Sequence, residues 1–245
     1  MRVVRSVLLW VWVLAGVFPA IAQAEEEPAR FRRLREAMVR DQIQGPPDFR
    51  TPVRDRCVLR ALRDVPRHAF VRSGDRDRAY GDYPLPIGYG QTISQPYIVA
   101  RMTEMLRVKP DHRVLEVGTG SGYQAAVLSR LVKEVFTVEI IEDLAGAAKK
   151  RLARLGYDNI HVRLADGYYG WEEHGPFDRI IVTCAAGLVP PPLIRQLEPG
   201  GRMCIPVGAP YAVQYLTLVE KTPDGDILLR KELPVRFVPL TRTRR

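Results

Sequence analysis

Apolar positions recur at helical spacing early in the chain and give way, beyond about position 110, to short apolar runs separated by helical stretches. Phe31, Leu34, Met38 and Ile43 fall on one face of a helix predicted over residues 30–43. Gly45-Pro46-Pro47 ends it. A second helix is predicted over residues 51–64, with Pro52 in its first turn and Val53, Cys57, Val58, Ala61 and Leu62 as its apolar face. Residues 80–96 have no helical period and are rich in Gly, Pro and aromatics. At 17 residues this segment is too long for a simple connection and is expected to be a functional loop. A helix over residues 97–106 follows.

Strands are then predicted over residues 113–117, 135–139, 160–164, 177–183 and 203–207. Helices alternate with them over residues 123–131, 142–155 and 192–197, closed by Gly156 and by Gly200-Gly201 respectively in the last two cases. A hairpin over residues 213–220 and 226–233 turns at Pro223-Asp224-Gly225. Repeated βα units predict an α/β fold with a doubly wound, mostly parallel sheet, an N-terminal helical cap and a C-terminal β-hairpin. One domain is expected over residues 25–245, with the cap and functional loop in 25–106 and the core in 107–245.

Composition adds a compartment and removes several function classes. With 46% apolar and 27% charged residues among 245, the chain reads as a folded domain, neither a disordered tail nor a multi-span membrane protein. Residues 1–24 read as a signal peptide: a basic start with Arg2 and Arg5, an apolar run from Val7 to Phe18, and Ala22-Gln23-Ala24 as a cleavage site. The expected location is outside the cytoplasm, periplasmic in a diderm bacterium, or cytoplasmic if the leader is not used. No stable membrane association is expected once the leader is removed. The formal charge of +9 falls by two without the leader's arginines. Arginines and acids are interspersed before Tyr80, the pattern of a solvated surface, so nucleic acid is not an expected partner. Cys57, Cys184 and Cys204 form no metal-ligand spacing, and no metal is expected. All three read as buried thiols, with Cys184 and Cys204 free to oxidise if neighbouring strands bring them together. The four histidines are scattered and read as structural or exposed.

The sharpest chemical signal is Glu116-Val117-Gly118-Thr119-Gly120-Ser121-Gly122-Tyr123, a strand end, a glycine loop and a helix start. Glycines let the backbone turn tightly and approach a ligand. A dinucleotide fingerprint would have glycine where Tyr123 stands, so a nucleoside cofactor without a pyrophosphate fits better. Glu139 at the end of the next strand is placed to accept from ribose hydroxyls, and Asp166, followed by Gly167, from an adenine amino group. Glu116 sits beside the loop.

Residues 84–96, Pro-Leu-Pro-Ile-Gly-Tyr-Gly-Gln-Thr-Ile-Ser-Gln-Pro, carry the most specific motif. With the glycine loop, Asp166-Gly167-Tyr168, Phe177 to Thr183, Pro199-Gly200-Gly201 and Phe237 to Thr241, the chain resembles the protein-L-isoaspartate O-methyltransferases over residues 34–241. The resemblance implies a Rossmann-like methyltransferase fold using S-adenosylmethionine and releasing S-adenosylhomocysteine. The implied substrates are isoaspartyl-containing proteins and peptides, and a monomer is expected. Ser94 matches the active-site serine; the alternative reading of it is an N-cap for the helix after Pro96, and one residue can do both. Gln91, Thr92, Ile93, Gly118, Gly120, Glu139, Asp166, Gly167 and Thr241 match cofactor positions, to which the loop itself adds Glu116 and Gly122. Thr92, Ser94, Val238, Pro239 and Leu240 match the substrate side. The last strands of the family run in an unusual order, so the standard methyltransferase topology is not assumed. Ala165 stands where the family has glycine. Alternatives are methylation of another small carboxylate outside the cytoplasm, or a non-catalytic binding protein of the same fold.

Overall fold

The computed structural model describes residues 29–210 and 212–242. The leader read at residues 1–24 lies outside them. The first helix, α1, covers residues 29–37 and continues as a π-helical stretch, Met38–Gln44. The sequence shows why. Met38 and Ile43 are five residues apart, a spacing that an α-helix rotates off one face and a π-turn keeps on it. Both side chains are fully buried, together with Val39.

Helix α2 is Arg56–Asp64, five residues shorter at its start than the apolar spacing predicts. Asp55 takes the N-cap, its carboxylate accepting from Cys57 N at 2.8 Å and Val58 N at 3.2 Å. A cap of this type stabilises a helix by about 1 kcal/mol. Pro52 therefore precedes the helix. Cys57 is exposed while Val58, Ala61 and Leu62 are buried, so one of the three cysteines departs from the expected burial.

Residues 80–96 are not all loop. They hold a two-stranded antiparallel hairpin, β1 (Leu85–Gly88) and β2 (Gln91–Ile93). Its turn runs through Gly88, Tyr89 and Gly90, all at positive φ. Tyr89 does so at a steric cost that glycine avoids. Helix α3, Pro96–Leu106, follows at once.

The core sheet contains β3 (Arg113–Val117), β4 (Glu134–Glu139), β5 (Ile160–Leu164), β6 (Phe177–Val182), β7 (Leu197–Val207), β8 (Gln214–Lys221) and β9 (Ile227–Val235). Helices α4 (Tyr123–Ser129), α5 (Glu142–Arg154) and α6 (Pro191–Arg195) connect the parallel part. The order across the sheet is β5-β4-β3-β6-β7-β8-β9. Strands β3 to β7 pair in parallel, and β8 and β9 are antiparallel additions at one edge. The fold is thus the expected doubly wound α/β class with its C-terminal hairpin. After β6 each new strand is laid beside its predecessor. Strand β7 begins at Leu197, earlier than predicted, because Pro199-Gly200-Gly201 is absorbed as an irregularity opposite Phe177–Arg179 rather than ending a helix.

Alternating side chains build a core on each face. Leu115, Val117, Phe136, Val138, Ile180 and Val182 pack against Leu193 of α6 on one side. Val114, Val135 and Ile181 pack against Met102 and Leu106 of α3 and Ala125 and Leu128 of α4 on the other. Cys184 belongs to the first core and Cys204 to the second. They therefore do not meet across neighbouring strands, and both are free, buried thiols. The N-terminal cap is fastened by Tyr123, whose ring packs edge-on against Phe70 at 5.6 Å with the Arg67 guanidinium 4.9 Å from its centroid. Among the described residues, no helix is long and apolar enough to cross a membrane.

Candidate active site

Strand β3 has β4 on one side and β6 on the other, so the connections leaving it diverge. In doubly wound sheets such a divergence opens a crevice beyond the carboxyl ends of the strands. The glycine loop lies here. Gly118 N donates to Val138 O at 2.9 Å and Gly122 N to Thr119 O at 2.8 Å. Gly118, Gly120 and Gly122 all have positive φ. A Cβ at Gly118 would stand 2.5 Å from the Thr183 hydroxyl, so no other residue fits beneath the loop.

Acidic side chains frame the loop. Glu139, buried at the end of β4, accepts from Gly120 N at 2.8 Å, Ile140 N at 2.9 Å and Ile141 N at 3.0 Å. An ionised carboxylate has about four lone-pair sites, so three N–H groups leave it room for a ligand hydroxyl. Glu116 is fully buried in β3. Thr137 donates to its Oε2 at 2.5 Å, and the Thr137 hydroxyl lies 2.7 Å from that of Thr119. Its Oε1 has no hydrogen-bond partner among the described residues. Burial pushes the Glu116 carboxyl up to about 8, and the charge of Glu139 adds to the effect.

Two cavities meet at this point. The first is a cleft lined by the loop, the ends of β3, β4 and β6, β2 and the segment 238–241. Gln91, Thr92, Ile93, Ser94, Glu116, Gly118, Gly120, Glu139, Gly167, Val238, Pro239, Leu240 and Thr241 all line it. The second is a groove of ≈ 920 Å³ between the β1–β2 hairpin and the segment 234–239. Ser94, Thr92, Gln91, Thr183, Val238, Pro239 and Thr241 line both. Gln95, not Ser94, occupies the N-cap of α3, and it makes no side-chain cap bond. Ser94 therefore stands half-buried at the junction of the two cavities, outside the capping position.

Two expected site residues do not line the cleft. Gly122 supplies the left-handed N-cap of α4, and a Cβ there would press on Leu152 at 3.2 Å. Asp166 accepts from Tyr168 N at 3.0 Å and from Arg242 Nε at 2.9 Å, so its carboxylate holds a turn and the C-terminal segment. The following residue, Gly167, lines the cleft in its place. Ala165 is not among the residues at positive φ, so its methyl group is accommodated. Thr183, Thr119, Ile87, Ile140 and Ile141 also line the cleft and were not singled out in the sequence. Thr119 and Ile87 lie within the glycine loop and the 84–96 motif, and Thr183 directly follows β6 at the strand divergence, so each of these three had a usable signal.

None of the four histidines lines the cleft. His112 is buried and accepts from Lys109 N, while His161 and His174 stack on Phe136.

The residues present suit S-adenosylmethionine. The loop is open to close backbone approach, Glu139 has spare acceptor capacity, and Glu116 Oε1 is a buried oxygen without a hydrogen-bond partner among the described residues.

The model of the protein-L-isoaspartate(D-aspartate) O-methyltransferase family matches residues 49–245. A relative from Polaromonas sp. named protein-L-isoaspartate O-methyltransferase 2 is 62% identical over 190 residues, covering 78% of this chain and 90% of its own. One from Nitrosospira multiformis, protein-L-isoaspartate O-methyltransferase 1, is 55% identical over 216 residues, covering 86% and 89%. A solved protein-L-isoaspartate O-methyltransferase superposes with a TM-score of 0.72 at 32% identity, over 78% of this chain and 62% of that longer one. A putative member from Plasmodium falciparum in complex with S-adenosyl-L-homocysteine superposes with a TM-score of 0.70 at 26% identity, covering 87% and 99%. Sequence, topology and the paired cavities thus converge, and the chain belongs to the protein-L-isoaspartate(D-aspartate) O-methyltransferase family.

Proposed function

We propose that this protein transfers a methyl group from S-adenosylmethionine to the free α-carboxylate of L-isoaspartyl residues in damaged proteins and peptides. The observation that carries the reading is the junction: Ser94 and Thr183 line both the glycine-loop cleft and the larger groove. A methyl transferase needs its cofactor and acceptor in adjoining spaces with a short opening between them.

When bound, S-adenosylmethionine supplies a methyl group on a sulfonium whose sulfur leaves as a neutral thioether. The acceptor is a carboxylate with an ordinary pKa near 3.5–4, already anionic at neutral pH. The chain therefore has no proton to abstract, which agrees with a junction lined by hydroxyls, one amide and apolar side chains. Its work is alignment and exclusion of water. Glu139 would hold the ribose hydroxyls, and the backbone of Gly118, Gly120 and Gly167 would flank the nucleoside. Ser94 would donate to one carboxylate oxygen and so turn the other toward the methyl group. Val238, Pro239 and Leu240 would flank the acceptor's backbone, and Thr241 would close the cleft.

Two peptides differing only in isoaspartate against aspartate test the reading with labelled S-adenosylmethionine. Base-labile label on the isoaspartyl peptide alone is the expected result. Binding of S-adenosylhomocysteine without methylation of either peptide would mean a different acceptor.

The leader supports a further reading, that the chain is exported and cleaved after Ala24. N-terminal sequencing of the protein from its source would find Glu25 first, or Met1 if the leader is not used.

A further inference from the structure

The groove beside the cleft is nearly devoid of charge. Its described lining consists of prolines, glycine, aliphatic and aromatic side chains, and neutral amides and hydroxyls, with one charged residue, Arg236. Arg236 is exposed, and no hydrogen bond or ion pair with the described residues engages its guanidinium. The backbone around it is firmly placed. Val235 pairs with Gln214 in the β8–β9 ladder, and Phe237 N donates to Gln214 Oε1 at 2.9 Å. Two residues further on, Val238 O accepts from Ala185 N at 2.8 Å. A fixed backbone thus presents the Arg236 guanidinium to a groove whose described lining carries no other charge.

We propose that Arg236 is a specificity-determining residue that favours isoaspartyl substrates carrying an acidic side chain within about two residues of the reacting position. This inference rests on the function proposed above and assigns a preference within it. The reacting carboxylate itself is not the partner. It must reach the junction shared by both cavities, and Arg236 lines the groove but not the cleft. The junction residue Val238 is two positions along the same segment, and two extended residues span roughly 7 Å. A flanking side chain on a groove-bound peptide covers that distance. A lysine at the same place would meet like charge in a groove with no acid in its described lining.

The test uses the full mature protein and three isoaspartyl peptides alike except for Glu, Gln or Lys two residues from the isoaspartate, placed in turn on each side. In wild type at low ionic strength, the Glu peptide should exceed the Lys peptide in kcat/KM by about fivefold on one side, the size of one partly exposed charge pair. The difference should lie in KM and shrink in 0.5 M salt. Arg236→Ala should bring the ratio close to one, and Arg236→Glu should invert it. In both variants the Gln peptide should be methylated about as well as by wild type, which shows that fold and active site are intact. If Arg236→Glu keeps the wild-type ranking while methylating the Gln peptide, the assignment of Arg236 is overturned and the function stands. If wild type methylates none of the three, the function fails and this preference falls with it.

Discussion

Glu139 and Ser94 divide the labour of the site, and the division is measurable. Glu139 organises the loop through three backbone N–H groups while facing the cleft. Hydrogen bonds to a charged group contribute about 1.5–3 kcal/mol, so Glu139→Ala should raise the Kd of S-adenosylhomocysteine by about 10- to 100-fold. Ser94→Ala should leave that Kd within about twofold and lower kcat/KM for an isoaspartyl peptide by about 10- to 100-fold, the scale of a small misplacement of reacting groups. Calorimetry and initial rates on the two variants check the contrast; equal effects on both quantities would defeat it. Glu116 offers a different handle. Its carboxyl is pushed up to about 8 by burial. Between its ordinary value and about 8, the folded protein holds a proton that the unfolded chain has released, so stability falls as pH rises across that window. Glu116→Gln removes that slope. Its Tm relative to wild type should climb between pH 6 and 9 in scanning calorimetry, whereas a constant difference would show that Glu116 does not titrate there. Glu139 and the glycines were legible because a strand-end acid and a G-x-G-x-G turn are local patterns. The engagement of Asp166 was not, since its partner Arg242 is 76 positions away.

Segments that close the site belong to the next scale. Residues 238–241 reach the cleft because Val238 O and Leu240 N both bond to Ala185, just past β6. Arg242 then secures the end. It donates to Asp166 and to the Tyr169 hydroxyl, and its guanidinium lies 3.7 Å from the centroid of the Tyr168 ring. The pair is partly exposed, with Arg242 at 41% and Asp166 at 10% side-chain accessibility, so its contribution is modest. Arg242→Ala should speed release of S-adenosylhomocysteine by about fivefold, reflecting one ion pair plus ring stacking. Arg242→Lys should recover only part of that, because it keeps the charge and loses the planar stack. Stopped-flow dissociation measures both; identical off-rates in all three proteins would show that the segment is held by its bonds to Ala185 alone. The elements themselves were unevenly legible. Strands β3, β4, β5 and β6 were visible as short apolar runs. The β1–β2 hairpin was hidden by its glycines and prolines, which read as loop. The π-turn in the first helix was hidden because Met38 and Ile43 were forced onto an α-helical period.

At the scale of the whole molecule, the alternation of strands and helices fixed the class and the two-faced core, and the Pro223-Asp224-Gly225 turn paired β8 with β9, but neither placed β7 and that hairpin beside β6. Those contacts join segments with no tight turn between them, and no local pattern records them. The same two-faced core decides the fate of the thiols. Cys184 is buried on one face of the sheet and Cys204 on the other, and burial pushes both well up, Cys184 to about 12. Reactivity requires the thiolate, so both are inert at neutral pH while folded. Disulfides form between thiols that meet in an oxidising compartment. Here the sheet itself stands between the two. Native alkylation should therefore label Cys57 alone, and alkylation in denaturant all three. Incubation with oxidised glutathione should leave methyl transfer unchanged, and mass analysis should find no bond between Cys184 and Cys204. A Cys184–Cys204 disulfide in the active protein would require strands β6 and β7 to be packed differently from the arrangement described, and with them the floor of the cleft beneath Gly118 and Thr183.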